Sequence, residues 1–270
     1  MAVQSVFGKW KVFEDFNGLL ASTTISDATA VRYNDLSLIA LSGDTVAIST
    51  VDESGGVMSF SGAGGAADGI AIISSPMQPS TNGSLVMEAR FKNSSATDFR
   101  CFVGWQETVS LTETVNPFTL SGTTLTSNDG GNAVGFYTDT GATTDDFRFH
   151  ASLDGTELTT AACITGPGIT TATTLGALGV RAGVTLTADS YYIARVMINP
   201  DGTAEGWFGH TTMNGGAALA PRLVARLTAS GAVDQTAIYY PIIQLLASST
   251  GDPTPEIDYF GATANRDWAA

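Results

Sequence analysis

The sequence predicts an all-β chain: an antiparallel two-sheet β-sandwich over residues 42–270, preceded by an irregular N-terminal arm or edge segment over residues 1–41. Three observations predict it. Apolar and polar side chains alternate with period two through SLVMEARFK from Ser84, FRCFVGWQE from Phe99, AVGFYTDT from Ala133, DFRFHASLDG from Asp146 and YYIARVMINPDGTAEGWFG from Tyr191. Such alternation sets one face on a core and the other towards water. Glycine (30 residues), serine, threonine and alanine crowd the segments between these runs, as short strands joined by turns require. No long amphipathic helix pattern is present, so helix should stay below ~10%, against the usual ~30%.

From the N-terminus, Val3 to Leu41 is the least regular stretch. Phe13, Phe16, Leu19 and Leu20 either cover a sheet edge or form an arm reaching a neighbouring subunit, with Val3, Phe7 and Trp10 adding to its apolar character. The Gly-rich run from Ser59 to Gly69 precedes an apolar strand, IAII, from Ile70. Pro76 and Pro79 read as turn residues rather than a domain linker. The four alternating stretches from Ser84 to Gly155 can be laid end to end as one hairpin system.

Tyr191 to Gly209 is the best-specified element. Tyr192, Ala194, Val196 and Ile198 share a face; Asn199-Pro200-Asp201-Gly202 supplies a type I turn with a bulge, and Gly202 is assigned a positive φ. The returning strand presents Glu205 and Trp207 on one side, and Ala204, Gly206 and Phe208 on the other.

Length and composition narrow the class. A chain of 270 residues with 43% hydrophobic and 14% charged residues has enough apolar material for its own core. Twelve basic residues against 26 acidic ones give −14, which disfavours nucleic acid and anionic lipid as partners. The amino terminus carries no apolar signal-peptide core, and no run approaches the ~20 apolar residues of a membrane helix, so neither export nor a membrane span is expected. Cys101 and Cys163 fit two reduced thiols of a protein made in a cytoplasm better than a disulfide. The sequons at Asn82 and Asn93 carry little weight without a secretory signal.

The order and texture of SLVMEARFK, FVGWQE, VGFYTD, NPDGTAEGWFG, YPIIQLLASS from Tyr240 and EIDYFGATANRDW from Glu256 resemble the concanavalin A-like jelly roll of laminin-G and legume-lectin type. In texture the chain is similar to versions of this sandwich in structural proteins of tailed-phage virions. The resemblance spans about Met58 to Trp268 and implies two curved sheets with a concave face; it does not imply sugar binding.

Each candidate constellation has a plainer reading. The Glu-x-Asp-x-x-Glu pattern of glycosidases on this fold is absent, and Glu256-Ile257-Asp258 and Asp145-Asp146 are the nearest substitutes, more simply solvated strand-end carboxylates. His150 and His210 are too far apart for a zinc pair. Gly62 to Ala67 fits a relaxed dinucleotide-loop pattern but precedes a strand where a helix is needed. Asn128 to Asn132 with Asp139 offers calcium-type oxygens, or simply a loop tip. Trp105 falls on a core face, whereas Trp207 is the better exposed platform, or an interface residue.

The expectation is a non-enzymatic virion structural protein of a tailed phage, most specifically a capsid decoration or cement protein or another head or tail accessory protein. Its partners would be other virion proteins and further copies of itself, with no catalytic, metal or cofactor residues assigned. A carbohydrate-binding lectin-like module is the alternative from a different class, with glycan as partner, and a polysaccharide-cleaving enzyme the third.

Overall fold

The structure is a computed structural model that describes residues 9–16, 23–26, 29–41, 46–51, 56–61, 69–109, 116–122, 124–127, 131–140, 146–165, 172–212, 220–247 and 254–265. In chain order its strands are β1 (Lys9–Glu14), β2 (Thr23–Ile25), β3 (Ala30–Tyr33), β4 (Leu36–Leu41), β5 (Val46–Val51), β6 (Val57–Ser61) and β7 (Gly69–Ile73). The one-turn helix α1 (Pro79–Asn82) leads to β8 (Leu85–Lys92), β9 (Arg100–Gln106), β10 (Phe118–Ser121), β11 (Thr124–Ser127), β12 (Ala133–Asp139), β13 (Asp146–Leu153) and β14 (Thr156–Glu157). Then come β15 (Ala162–Thr165), β16 (Ala172–Thr174), β17 (Val180–Thr185), β18 (Ser190–Ile198), β19 (Ala204–Thr212), β20 (Arg222–Leu227), β21 (Tyr240–Leu246) and β22 (Glu256–Asn265).

Two large antiparallel sheets face each other, the sandwich expected from the resemblance. The eleven-stranded sheet runs β16-β15-β20-β19-β18-β8-β22-β6-β5-β2, with β1 also on β22; the nine-stranded sheet runs β14-β13-β12-β9-β21-β7-β4-β3, with β17 on β13. Between them lies a continuous core that includes Met87, Phe91, Trp105, Phe136, Phe147, Tyr192 and Phe208. Aromatic rings meet across it: Phe147 and Phe208 have centroids 4.5 Å apart, and Phe136 and Phe208 4.9 Å. The period-two reading of β8 and β18 holds, because Leu85, Met87, Ala89, Tyr192, Ala194, Val196 and Ile198 are all buried on that inner side.

Two expectations are corrected. The four stretches from Ser84 to Gly155 do not form one hairpin system: β8 lies in the eleven-stranded sheet, whereas β9, β12 and β13 lie in the other. Alternation specifies which side faces a core, but both sheets face the same core, so the pattern is blind to sheet membership. Nor are residues 1–41 irregular where they are described. β1 pairs with β22 from Lys9↔Asn265 to Glu14↔Phe260, β2 extends the same sheet, and β3 and β4 belong to the other. Val12 and Phe16 are buried in the core, and Phe16 packs on Tyr33 with centroids 5.9 Å apart. Val3, Phe7, Leu19 and Leu20 lie outside the described residues. The segment thus covers a sheet edge; its pattern misled because Phe13 faces outwards and Val12 inwards, the reverse of what size suggests.

The tip at Gly202 forms as expected. Its φ is +76°, its N–H donates to Asn199 O at 2.9 Å, and Asn199 N–H donates to Thr203 O at 2.8 Å. Cys101 and Cys163 are both buried and unpaired.

Candidate functional site

Only one broad sheet face is open among the described residues. The outer side of the nine-stranded sheet is capped by the β10–β11 hairpin, whose Phe118, Leu120 and Leu125 pack with Phe102, Tyr137 and Ile242 into a second apolar cluster. His150 lies beneath this cap, fully buried, 5.3 Å from the Phe118 ring, with neither ring nitrogen hydrogen-bonded. Burial pushes its imidazole down to about 3, so it is neutral at ordinary pH. Trp105 is wholly in the inner core and donates from Nε1 to Val196 O at 3.2 Å.

The outer side of the eleven-stranded sheet carries a groove of about 570 Å³. Strand register builds it. Phe13 pairs with Gly261, Gly261 with Glu88, Glu88 with Arg195, and Arg195 with Trp207. These five residues form one transverse row across β1, β22, β8, β18 and β19, about 19 Å long at the usual strand spacing. A parallel row runs Lys11, Thr263, Val86, Met197, Glu205 and Arg226.

The polar groups of the groove are fixed. Arg195 Nε donates to Glu88 Oε2 at 2.6 Å, and Tyr259 Oη donates to Glu88 Oε1 at 2.7 Å. Burial first, and then the bond to Glu88, hold the Tyr259 phenol well above its ordinary pKa, so it stays a hydrogen-bond donor. Arg226 Nε lies 2.9 Å from Glu205 Oε1. The Phe13 ring is 43% exposed and tilts against Tyr259 with centroids 5.7 Å apart. Trp207 is half-buried, so its row ends in an aromatic side chain at each extremity.

Tyr259 reaches the groove through a β-bulge. The β22–β8 register shifts between Ile257 and Tyr259, so Asp258 is the extra residue. Before the bulge Ile257 is the inward residue; after it Phe260, Ala262 and Ala264 are. Asp258 turns to pair with Arg90. That change of parity is present in the string EIDYFGATA, and it was the available signal for Tyr259 as a groove residue.

Trp207 and Glu205 share one side of β19, as the hairpin pattern placed them, and both line the groove. Glu256 and Asp258 lie on the same sheet but are engaged elsewhere, Glu256 with Lys92 at 2.9 Å and Asp258 with Arg90. Tyr191 there is already covered, with the Arg90 guanidinium 4.0 Å over its ring. Asp146 is ion-paired with Arg181, and Asp145 lies outside the described residues. His210 lies on the inner side of β19 opposite Tyr192, whereas His150 lies on β13 of the other sheet, beneath the cap. Gly62 to Ala67 and Asn128 to Gly130 also lie outside the described residues. The remaining calcium candidates do not converge: Asn132 precedes the first residue of β12 and Asp139 is its last, about 23 Å apart along an extended strand. Their side chains serve Glu107 and Arg100, respectively. Glu88, Arg195, Tyr259 and Phe13 were not singled out from the sequence as site residues, because outward charges on a strand look the same whether or not a neighbouring strand lines them up.

No family model matches the chain, and no curated protein does. Among solved structures it is similar to a protein of unknown function from Shewanella oneidensis MR-1, with a TM-score of 0.53 and 14% identity over 100% of this chain and 92% of that one. It is also similar to a seed lectin of Lotus tetragonolobus, at TM-score 0.48 and 9% identity over 91% and 99% of the two chains. A carbohydrate-binding module (CBM2) of the evolved Dit of Lactobacillus casei BL23 phage J-1 gives 0.47 and 14% over 97% and 98%. At these identities the likeness is one of fold.

Proposed function

We propose that the protein is a non-enzymatic, lectin-like accessory protein of a tailed-phage virion, and that its groove binds a glycan. The observation that carries the binding reading is the transverse row Phe13–Gly261–Glu88–Arg195–Trp207. Aromatic rings offer an apolar face for the C–H side of a sugar ring. Between them, a carboxylate and a guanidinium already held in place give hydroxyl groups fixed acceptors and donors, so little ordering entropy is lost on binding.

The carboxylates favour binding over turnover. Glycosidases need a carboxylic acid free to deliver a proton. Here Glu88 is held by Arg195 and Tyr259, Glu205 by Arg226, Asp258 by Arg90 and Glu256 by Lys92. The virion setting rests on the textural resemblance and on an acidic chain that disfavours nucleic acid as a partner.

The more specific reading, a capsid decoration or cement protein that contacts other virion proteins and further copies of itself, draws support from two exposed apolar side chains, Phe13 at 43% and Ile238 at 53%. Glycan-array binding of the whole chain with and without Trp207→Ala tests the groove; binding that survives the substitution undiminished removes it. Mass spectrometry of purified virions tests the setting, and absence of the protein from the particles overturns it.

A further inference from the structure

At one end of the sandwich, β17 of the nine-stranded sheet stands opposite β19 and β20 of the eleven-stranded sheet, and the space between them is a cleft of about 590 Å³. It shares no lining residue with the groove. Its walls are aliphatic and aromatic. Val180, Ala182 and Val184 are half-buried and pack against the core, and Phe208 and Val224 opposite them are core residues.

Register puts two basic side chains on the inner side of this mouth. Phe208 pairs with Arg222, and Tyr192 with His210. Paired residues of an antiparallel ladder share a face, and Phe208 and Tyr192 point into the core, so Arg222 and His210 face β17 rather than the Trp207 side. Arg222 has no ion pair among the described residues, although the chain carries 26 acidic residues to 12 basic ones. His210 has its Nδ1 buried without a hydrogen-bond partner. The other arginine at the rim, Arg181, is taken up by Asp146. No carboxylate lines the cleft among the described residues.

We infer that this cleft binds an amphipathic carboxylate, a second ligand independent of the groove. The aliphatic body lies between the Val180–Val184 wall and Phe208 with Val224. The carboxylate sits at the mouth on the Arg222 guanidinium, whose planar fork matches two oxygens. The volume and the mostly apolar lining with few convergent polar groups are those of small-molecule sites, which run from ~300 to ~1,000 Å³.

Calorimetric titration of the whole chain with sodium decanoate below its micelle concentration, and with 1-decanol in parallel, tests the inference. Saturable decanoate binding is expected, stronger than that of decanol, and Arg222→Gln should weaken decanoate by about tenfold or more while leaving decanol unchanged. Ala182→Trp, which fills the cleft, should abolish both, with circular dichroism verifying the fold of each variant. Trp207→Ala should leave decanoate binding intact, which separates this site from the groove. Absence of saturable decanoate binding by the unsubstituted chain, equal affinity for decanol, or indifference to Arg222→Gln overturns the inference. Binding to phosphatidylglycerol vesicles without binding of free decanoate does so too.

Discussion

Phe13 on β1 lies directly over Gly261 on β22: a Cβ at Gly261 would stand 3.2 Å from Phe13 Cδ2. The two are register partners, and the missing side chain lets the ring settle flat enough to tilt against Tyr259. One end of the groove therefore depends on a glycine in ordinary extended conformation, kept for space rather than for φ.

Gly261→Val should displace the Phe13 ring and weaken ligand binding in the groove, with little change in stability, because the exposed ring can swing aside from the added side chain. Binding and urea denaturation measured on the same variant separate the two effects. Unchanged binding would show that the Phe13 end of the row contributes nothing.

Phe16 is a core residue, although it sits where an arm was expected. Its ring meets Tyr33, and Glu14 just before it accepts a hydrogen bond from Asn34 Nδ2 at 3.1 Å. Phe16→Ala should cost about 3–5 kcal/mol, the range for a buried phenylalanine, read as a fall in the urea midpoint. A mobile arm would give a cost near zero.

Gly202 combines a φ of +76° with tight surroundings, since a Cβ there would stand 2.5 Å from Val233 O and 2.7 Å from Gly231 Cα. Both neighbours belong to the backbone of the loop that docks on the turn: Val233 N–H donates to Gly202 O at 2.9 Å and Gly231 N–H to Asp201 O at 2.8 Å. Gly202→Val should therefore lose roughly 2–3 kcal/mol through strain and the displaced loop. Thermal melting checks this, and an unshifted Tm contradicts it.

His150 makes stability depend on pH in a defined direction. Its folded pKa is about 3 against 6.5 for the free group, so between these values the unfolded chain binds a proton that the folded chain does not. Stability from this group is complete above about pH 6.5 and falls as pH drops towards 3, by about 1.4 kcal/mol per pH unit within the window. His150→Phe should flatten that slope and cost little at pH 7, since neither ring nitrogen has a partner to lose. Urea unfolding at pH 4.5 and pH 7 reads both; an identical slope in the two proteins would place the acid sensitivity elsewhere.

The all-β class, the positions of β8, β9, β12, β13, β18, β19, β21 and β22, the turn at Gly202, and the opposite fates of Trp105 and Trp207 are legible in the residue pattern. All of these follow from local rules, because side-chain alternation and turn chemistry act over two to four residues. Long-range pairing was needed to settle which strand joins which sheet, that Lys9–Glu14 closes an edge of β22, that the β10–β11 hairpin caps one face and buries His150, and that the other face stays open. The groove itself is a property of register. Phe13, Glu88, Arg195, Trp207 and Gly261 are spread over more than 240 residues of chain, and only pairing across five strands turns five separate outward positions into a single row, with the bulge at Asp258 setting Tyr259 beside it.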